Sequence, residues 1–298
     1  MRVLRFVFWC ALVIGTLASA AVYALYTPAA PVPHLSGTLS KGSIEIGGRT
    51  RTYTTYVPRG LAKGASLIVA MHGSGESAAD MRRETGYGFD RLADEHGFAV
   101  VYPNGFEGYW NGCNIVGNFS ANTLNIDDVG FLNALAEKLI AEIGVAPGRV
   151  FATGVSRGGS MAIRLALEAP SHFRAVASVS DSVPAPDNFK CRLPENGTSS
   201  VMIMNGTDDP LVPFNGGNVS LFGLFVKRGK VLSSEASRQY FTDLNHHASR
   251  VEVELVVIHG GGHGIPQPYH RHARLLGPSP SEPNGPDVIW KFFDRQRP

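Results

Sequence analysis

The chain has 298 residues, of which 44% are hydrophobic and 17% charged, and its formal net charge is +2. This composition is ordinary for a globular protein and contains no low-complexity tract. So small a charge, with no cluster of Lys and Arg among aromatic residues, argues against nucleic acid as a partner and against electrostatic binding to a membrane surface.

The N-terminal segment differs from the rest of the chain. Two arginines precede an apolar run from residue 6 to about residue 21, which ends in the small residues LASAA. We predict that residues 1–26 are a signal peptide cleaved near Ala20 or Ala24, which places the protein outside the cell or in the periplasm. The alternative is an uncleaved membrane anchor, because the run just suffices to span a bilayer. Residues 27–40 are predicted to be a flexible tether.

Cleavage of the signal would remove Cys10 and leave Cys113 and Cys191. An even pair of cysteines in an exported protein predicts a disulfide bond. Two separate buried thiols are the alternative.

Short apolar strands alternate with helical patterns from residue 41 to the C-terminus. A hairpin with a turn in its middle is predicted over 42–60, because its residues alternate in polarity. Buried strands are predicted at 66–73, 97–105, 149–156, 200–206 and 251–260. Amphipathic helices lie between them. The clearest has Leu132, Leu135, Leu139 and Ile143 on one face, with Asp127 and Asp128 at its start.

This order predicts one α/β domain over residues 41–298. A mostly parallel sheet would carry helices on both faces, with the antiparallel hairpin at one edge.

Ser156 lies in the pattern glycine-x-serine-x-glycine, directly after a predicted strand and before a predicted helix. The pattern alone is common, and a helix-capping serine is the alternative interpretation. In this context, however, it predicts a nucleophile elbow, because Gly154, Gly158 and Gly159 leave room for strand and helix to approach closely.

The partners of such a serine follow it in the order acid, histidine in the α/β-hydrolase fold. Asp208 and Asp209 follow the strand at 200–206, and we choose Asp209, with Asp208 in reserve. His263 lies in a glycine-rich loop after the last predicted strand, where it would act as general base.

The oxyanion of the intermediate needs two backbone donors. We predict that the N–H groups of Arg157, which follows the serine, and of Ser74, in the loop after the strand at 66–73, supply them. No metal or cofactor is expected. His259 and His263 are four residues apart, but the glycines between them exclude the helix that a metal pair would need.

The motifs together resemble the secreted esterase family that contains polyhydroxybutyrate depolymerases and feruloyl esterases. The resemblance covers nearly all of residues 42–296 and rests on MHGSGESAADM, VVYPNG, YWNGC, DDVGFLNAL, RVFATGVSRGGSMAIRLA, NGTDDPLVPFNGG, GGGHGIP and VIWKFF. It implies the α/β-hydrolase fold and supports Ser156, Asp209 and His263 as triad. The chain departs from the family at three positions, where cysteine, histidine and threonine are frequent and this chain has Ser74, Asn205 and Gly264. These departures leave the hydrolytic residues intact, but the resemblance does not identify the substrate.

The resemblance implies a secreted serine esterase that acts on a polyester of 3-hydroxyalkanoates or its oligomers. The alternatives are a feruloyl or acetylxylan esterase on plant polysaccharide, and a non-catalytic surface-binding module. Trp110 and Asn111 are predicted to line the substrate cleft, although Trp110 equally suits a role in pinning its loop to the sheet. Loop 218–233, with its apolar Leu221, Phe222, Leu224 and Phe225, suits a lid or a packed sheet edge.

Overall fold

The fold is described from a computed structural model that covers residues 2–195, 197–221, 223–225, 227–248 and 250–297. Phe222, which the sequence places in an apolar loop, lies outside the described residues. Ten strands occur within these ranges: β1 (Thr38–Ile46), β2 (Arg49–Val57), β3 (Leu67–Met71), β4 (Ala99–Pro103), β5 (Val150–Val155), β6 (Ala175–Val179), β7 (Ser200–Gly206), β8 (Gly217–Asn218), β9 (Lys230–Val231) and β10 (Val253–Ile258).

Eight of these strands form one sheet in the order β1-β2-β4-β3-β5-β6-β7-β10. The hairpin β1–β2 is antiparallel and joins β4 antiparallel, whereas every pair from β4 to β10 is parallel. The predicted hairpin therefore lies at one edge of a mostly parallel sheet. The two short strands β8 and β9 pair with each other outside this sheet.

Eight α-helices accompany the strands in the described part of the chain: α1 (Arg2–Leu25), α2 (Ala78–Glu84), α3 (Gly88–His96), α4 (Ser120–Thr123), α5 (Asp128–Ile143), α6 (Arg157–Glu168), α7 (Ser234–Leu244) and α8 (Gly285–Arg295). Helix α5 matches the predicted periodicity, since Leu132, Leu135 and Leu139 are buried. Asp127 caps it by accepting a hydrogen bond from the Gly130 N–H at 2.8 Å.

The sheet has a hydrophobic layer on each face, as a covered parallel sheet requires. Alternate residues of β3 enter opposite layers: Leu67 contributes to the layer under α5, α6 and α7, and Ile68 to the layer under α2, α3 and α8. This arrangement confirms the predicted α/β-hydrolase architecture and leaves the C-terminal ends of the parallel strands free to carry a site.

Strand β6 is the one member of the large sheet that we did not predict. Its sequence AVASV is short and rich in alanine, so it lacks the bulky apolar residues that marked the other strands. It is nevertheless fully buried between β5 and β7. Placement inside the sheet, more than side-chain propensity, makes this segment a strand.

The N-terminal helix α1 contains an apolar stretch, Phe8–Leu25, that is long enough to cross a membrane by length and composition. A signal sequence satisfies the same criteria. The segment predicted to be a tether is ordered close to β1, because the Ser36 N–H donates to Asp94 Oδ2 at 2.7 Å and β1 already begins at Thr38.

Candidate active site

Ser156 lies at the sharp turn between β5 and α6. Its φ of 54° is in the left-handed region that residues other than glycine rarely adopt, and its N–H donates to the Val179 carbonyl oxygen of β6 at 2.8 Å. Strain of this kind is typical of residues held for a function. A serine in a nucleophile elbow has this conformation.

The glycines around Ser156 are required by the close approach of strand and helix. A Cβ on Gly154 would lie 2.3 Å from the Gly158 carbonyl carbon, and one on Gly158 would lie 2.2 Å from the Met71 carbonyl oxygen. A Cβ on Gly159 would lie 2.8 Å from the Val179 carbonyl oxygen. Each distance is shorter than real Cβ contacts, so no side chain fits at these positions.

Asp209 and His263 are joined by a hydrogen bond of 2.8 Å between Oδ2 and Nδ1. The other carboxylate oxygen of Asp209 accepts the N–H groups of Leu211 at 2.8 Å and Val212 at 2.9 Å. These three bonds fix the direction of the carboxylate, and it is 1% exposed. Asp208 is exposed and binds only Thr207 Oγ1 through its side chain, among the described residues. Of the two aspartates, the structure brings Asp209 to the histidine.

His263 and Ser156 line one cavity of about 220 Å³. Its walls are largely apolar, with Val155, Leu211 and Ile265 among the lining residues. The described residues show no hydrogen bond between Ser156 Oγ and His263 Nε2, and catalytic contacts of this kind often tighten only when substrate binds. Since Nδ1–H of His263 donates to Asp209, Nε2 is left as the acceptor that faces no other partner in the described chain.

The two predicted oxyanion donors lie near this cavity. Arg157 is the first residue of α6, where a backbone N–H has no partner within the helix. Ser74 lies in the loop after β3 and lines the cavity. The N–H of its neighbour Gly73 is already bonded to Glu76 Oε2 at 2.7 Å, so it is unavailable to a substrate.

Trp110 and Asn111, which were predicted to line the substrate cleft, are fully buried, and neither lines the cavity shared by Ser156 and His263. Trp110 Nε1 donates to the His72 carbonyl oxygen at 3.0 Å, which ties its loop to the end of β3. Asn111 Nδ2 donates to the Ile126 carbonyl oxygen at 3.0 Å. The two residues support the loop from beneath, and for Trp110 this was the alternative interpretation.

His72, on the same loop, is neutral and serves the backbone. Its Nε2 accepts the Gly105 N–H at 2.9 Å and its Nδ1 lies 2.6 Å from the Gly73 carbonyl oxygen, to which it donates. Burial lowers the pKa of His72 to about 4, so the ring stays uncharged near neutrality. The imidazole thereby connects the loop that carries Ser74 to the chain that follows β4.

Two glutamates of this region were missed by the sequence analysis. Glu76 and Glu84 both line the cavity. Burial is the main reason why the pKa of Glu84 lies well above its ordinary value, and the nearby Glu76 carboxylate raises it further. Only the spatial neighbourhood reveals this pair, because neither residue belongs to a recognisable motif.

The side chain of Arg157 is buried and does not line the cavity that Ser156 and His263 share. Its Nε donates to the Trp110 carbonyl oxygen at 2.7 Å, and a second nitrogen donates to Asn114 Oδ1. Burial, together with the positive charge of Arg228, lowers the pKa of Arg157 to about 9. Arg157 thus fixes the loop that carries Trp110 against the start of α6.

A disulfide bond joins Cys113 to Cys191, as predicted. It connects the loop that carries Trp110 to the segment after β6. Within the described ranges, no group of three or more His, Cys, Asp or Glu side chains is arranged to hold a metal ion, and His259 is exposed.

Comparisons with solved structures show the fold. An S-formylglutathione hydrolase from Agrobacterium tumefaciens superposes with a TM-score of 0.56 at 13% identity, over 89% of this chain and 97% of its own. The esterase PE8 gives a TM-score of 0.52 at 19% identity, over 89% and 100%. The sheet order and the serine elbow thus define an α/β-hydrolase.

Comparisons of sequence identify the family. The family described as "Esterase PHB depolymerase" matches residues 51–188. Feruloyl esterase C of Emericella nidulans is 29% identical over 86% of this chain and 87% of its own length. An Aspergillus flavus protein named for the same activity is 30% identical over 70% and 69%. The chain belongs to the esterase family that contains polyhydroxybutyrate depolymerases and feruloyl esterases.

A further relative, NocK of Nocardia uniformis subsp. tsuyamanensis, is named as an esterase and is 33% identical over 67% of this chain. The match spans only 57% of the length of NocK.

Proposed function

We propose that this protein is an exported serine esterase in which Ser156 is the nucleophile, His263 the general base and Asp209 the residue that orients the histidine. One observation carries the proposal: a serine in a strained elbow opens onto the same cavity as a hydrogen-bonded histidine–aspartate pair. Membership of an esterase family supports it.

In this mechanism Ser156 Oγ attacks the ester carbonyl carbon and its proton passes to His263 Nε2. The Asp209 carboxylate stabilises the imidazolium through the bond at Nδ1. Collapse of the tetrahedral intermediate breaks the ester C–O bond, and the leaving alkoxide takes the proton from Nε2. Water then attacks the acyl-enzyme by the same route, which releases the acid and restores Ser156.

The negative oxygen of the intermediate would be bound by the N–H groups of Arg157 and Ser74. Glu76 supports this role, because it accepts the Gly73 N–H and so fixes the peptide that precedes the Ser74 donor. Loss of one such donor typically costs about 10²–10³-fold in rate.

The substrate we propose is a 3-hydroxyalkanoate oligomer or polymer. The small, mostly apolar cavity supports a short aliphatic acyl group. The names of the fungal relatives support the second candidate, a feruloyl ester of plant polysaccharide.

The test is acid release from 3-hydroxybutyrate oligomers and from methyl ferulate by the full-length protein in mild detergent. Ser156→Ala is expected to abolish turnover of whichever ester is cleaved. Ser160→Ala is the matched control, because this serine lies one turn further along α6 and does not line the cavity. Turnover that survives Ser156→Ala, or no turnover of either ester or of p-nitrophenyl butyrate, would refute the proposal and favour a binding module.

We propose further that α1 directs export and that the domain works outside the cell or in the periplasm. The disulfide and the apolar stretch Phe8–Leu25 support this. N-terminal sequencing of the protein from its host distinguishes cleavage near Ala20 or Ala24 from a retained anchor. A chain found reduced in the cytoplasm would contradict export.

A further inference from the structure

Arg228 is a cation at the wall of the proposed active site that the mechanism above does not use. It lies between β8 and β9 and lines the cavity shared by Ser156 and His263. Its Nη2 donates to Ser74 Oγ at 2.7 Å, and its guanidinium carbon lies 4.9 Å from the ring centroid of Phe119. These contacts hold the guanidinium beside the loop that we expect to bind the oxyanion.

Arg228 lacks the carboxylate partner that several other arginines of the domain interior have. In the described part of the chain no carboxylate oxygen lies within 4.0 Å of it, and its buried Nε has no hydrogen-bond partner. Three other arginines of the domain interior do have carboxylate partners within this distance: Arg51 with Asp128, Arg82 with Asp90, and Arg164 with Glu168. The buried Arg157 has none in the described residues, but it lies outside the cavity and donates to the Trp110 carbonyl oxygen and to Asn114 Oδ1. A charge taken from water without a partner is costly, so its presence at a ligand cavity calls for a ligand of opposite charge.

Two acidic residues near Arg228, Asp181 and Glu76, do not supply this partner. Asp181 attracts Arg228 but forms no ion pair with it, and it is also attracted by Arg157. The Glu76 carboxylate is bonded to the Gly73 N–H. This side of the cavity therefore presents a guanidinium that forms no ion pair with a carboxylate of the described chain.

We propose that Arg228 binds a free carboxylate of the substrate, so that the preferred substrates are short esters with a carboxylate close to the scissile bond. The inference rests on the proposed function, because it concerns the same cavity. A linear oligoester of 3-hydroxy acids has such a group: its terminal carboxylate carbon is four bonds from the carbonyl carbon of the last ester. A guanidinium suits a carboxylate because the two can form parallel hydrogen bonds.

The reaction at such an end is ordinary ester hydrolysis. The bond between the penultimate acyl carbon and the terminal hydroxy acid breaks, and the leaving alkoxide takes the proton held by His263. The carboxylate remains paired with Arg228 and takes no part in bond breaking. The protein would thus remove one hydroxy acid at a time from the carboxyl end of an oligomer.

The test compares two substrates that differ only in this charge: 3-(butanoyloxy)butanoate and its primary amide, each with one ester bond. We expect the full-length protein to show a kcat/KM roughly tenfold or more higher for the carboxylate than for the amide. In Arg228→Gln the ratio is expected to fall to about one, and in Arg228→Lys to lie between these values. The ratio isolates recognition, because a structural defect lowers both rates together.

A binding measurement keeps the inference testable without turnover. Calorimetry of the Ser156→Ala protein with the same two compounds should give the same preference, and the Ser156→Ala/Arg228→Gln double variant should lose it. A second pair, monoethyl succinate and ethyl succinamate, moves the carboxylate to the acyl side, and a preference confined to this pair would refute the carboxyl-end assignment.

The two proposals fail in different ways. Ser156-dependent hydrolysis of p-nitrophenyl butyrate without any carboxylate preference would overturn the role of Arg228 and leave the esterase proposal intact. A carboxylate preference that persists in Arg228→Gln would also overturn it. Absence of all ester hydrolysis would refute the esterase proposal, and the calorimetric preference would then decide the role of Arg228 alone.

Discussion

Replacement of Asp209 by asparagine tests the proposed triad most directly. The carboxylate accepts three hydrogen bonds, two from backbone N–H groups and one from His263 Nδ1. Asparagine has one acceptor oxygen and one NH₂ group. If its oxygen keeps the two backbone donors, its NH₂ faces Nδ1, and the imidazole must place its proton on Nε2. The histidine then cannot accept the serine proton.

The expected cost follows from this change of tautomer. In a Ser-His-Asp triad the same substitution lowers kcat by roughly 10⁴-fold, which corresponds to about 5 kcal/mol of transition-state stabilisation. The structure should survive, because asparagine has nearly the same shape and the backbone bonds at Leu211 and Val212 remain possible through its oxygen.

The assay is hydrolysis of p-nitrophenyl butyrate, with thermal unfolding to confirm that the variant is folded. Asp208→Asn is the matched control, since this neighbouring aspartate is exposed and is expected to change kcat by no more than about threefold. If Asp209→Asn retains activity within tenfold of the parent, or if Asp208→Asn loses as much, our assignment of the acid is wrong.

Three further predictions concern stability, each measured by urea unfolding. Replacing Cys113 and Cys191 by serine opens a loop of 78 residues and should lower the free energy of unfolding by roughly 4 kcal/mol. Adding reductant to the parent protein should lower its free energy of unfolding by the same amount. An unchanged free energy of unfolding in the variant would contradict the prediction. Gly158→Ala should cost several kcal/mol or prevent folding, because the new Cβ would lie 2.2 Å from the Met71 carbonyl oxygen, and a variant of parental stability would refute the packing argument. Burial lowers the pKa of His72 from its ordinary value of 6.5 to about 4 in the folded chain. As the pH falls, the unfolded chain therefore binds a proton at this residue before the folded chain does, and the free energy of unfolding should fall by up to roughly 3 kcal/mol between pH 6.5 and 4. A His72→Gln variant with an equally steep pH dependence would show that another group is responsible.

The sequence alone determined the elements whose signals are local. Three glycines around Ser156, between an apolar strand and an amphipathic helix, indicate the elbow, because the steric demand that excludes side chains acts within a few residues. The hairpin and helix α5 were likewise predictable, since alternation and helical spacing follow from the geometry of each element. The predicted order of serine, acid and histidine along the chain rests on the fold that these elements imply.

Tertiary structure decided what depends on distant parts of the chain. The sequence does not distinguish Asp208 from Asp209, because both are aspartates in the same loop. In the folded chain the N–H groups of Leu211 and Val212 orient the Asp209 carboxylate toward His263. Trp110 is an aromatic residue in a long loop, as a cleft residue often is, yet the packing of this loop onto the end of β3 buries its side chain.

Arg228 is the clearest case of this dependence, since its contact with Ser74 joins residues 154 positions apart. No pattern within either segment indicates that they meet. Local sequence fixes the conformations that sterics and periodicity select, whereas the direction of a side chain and its partners depend on which segments the folded sheet brings together.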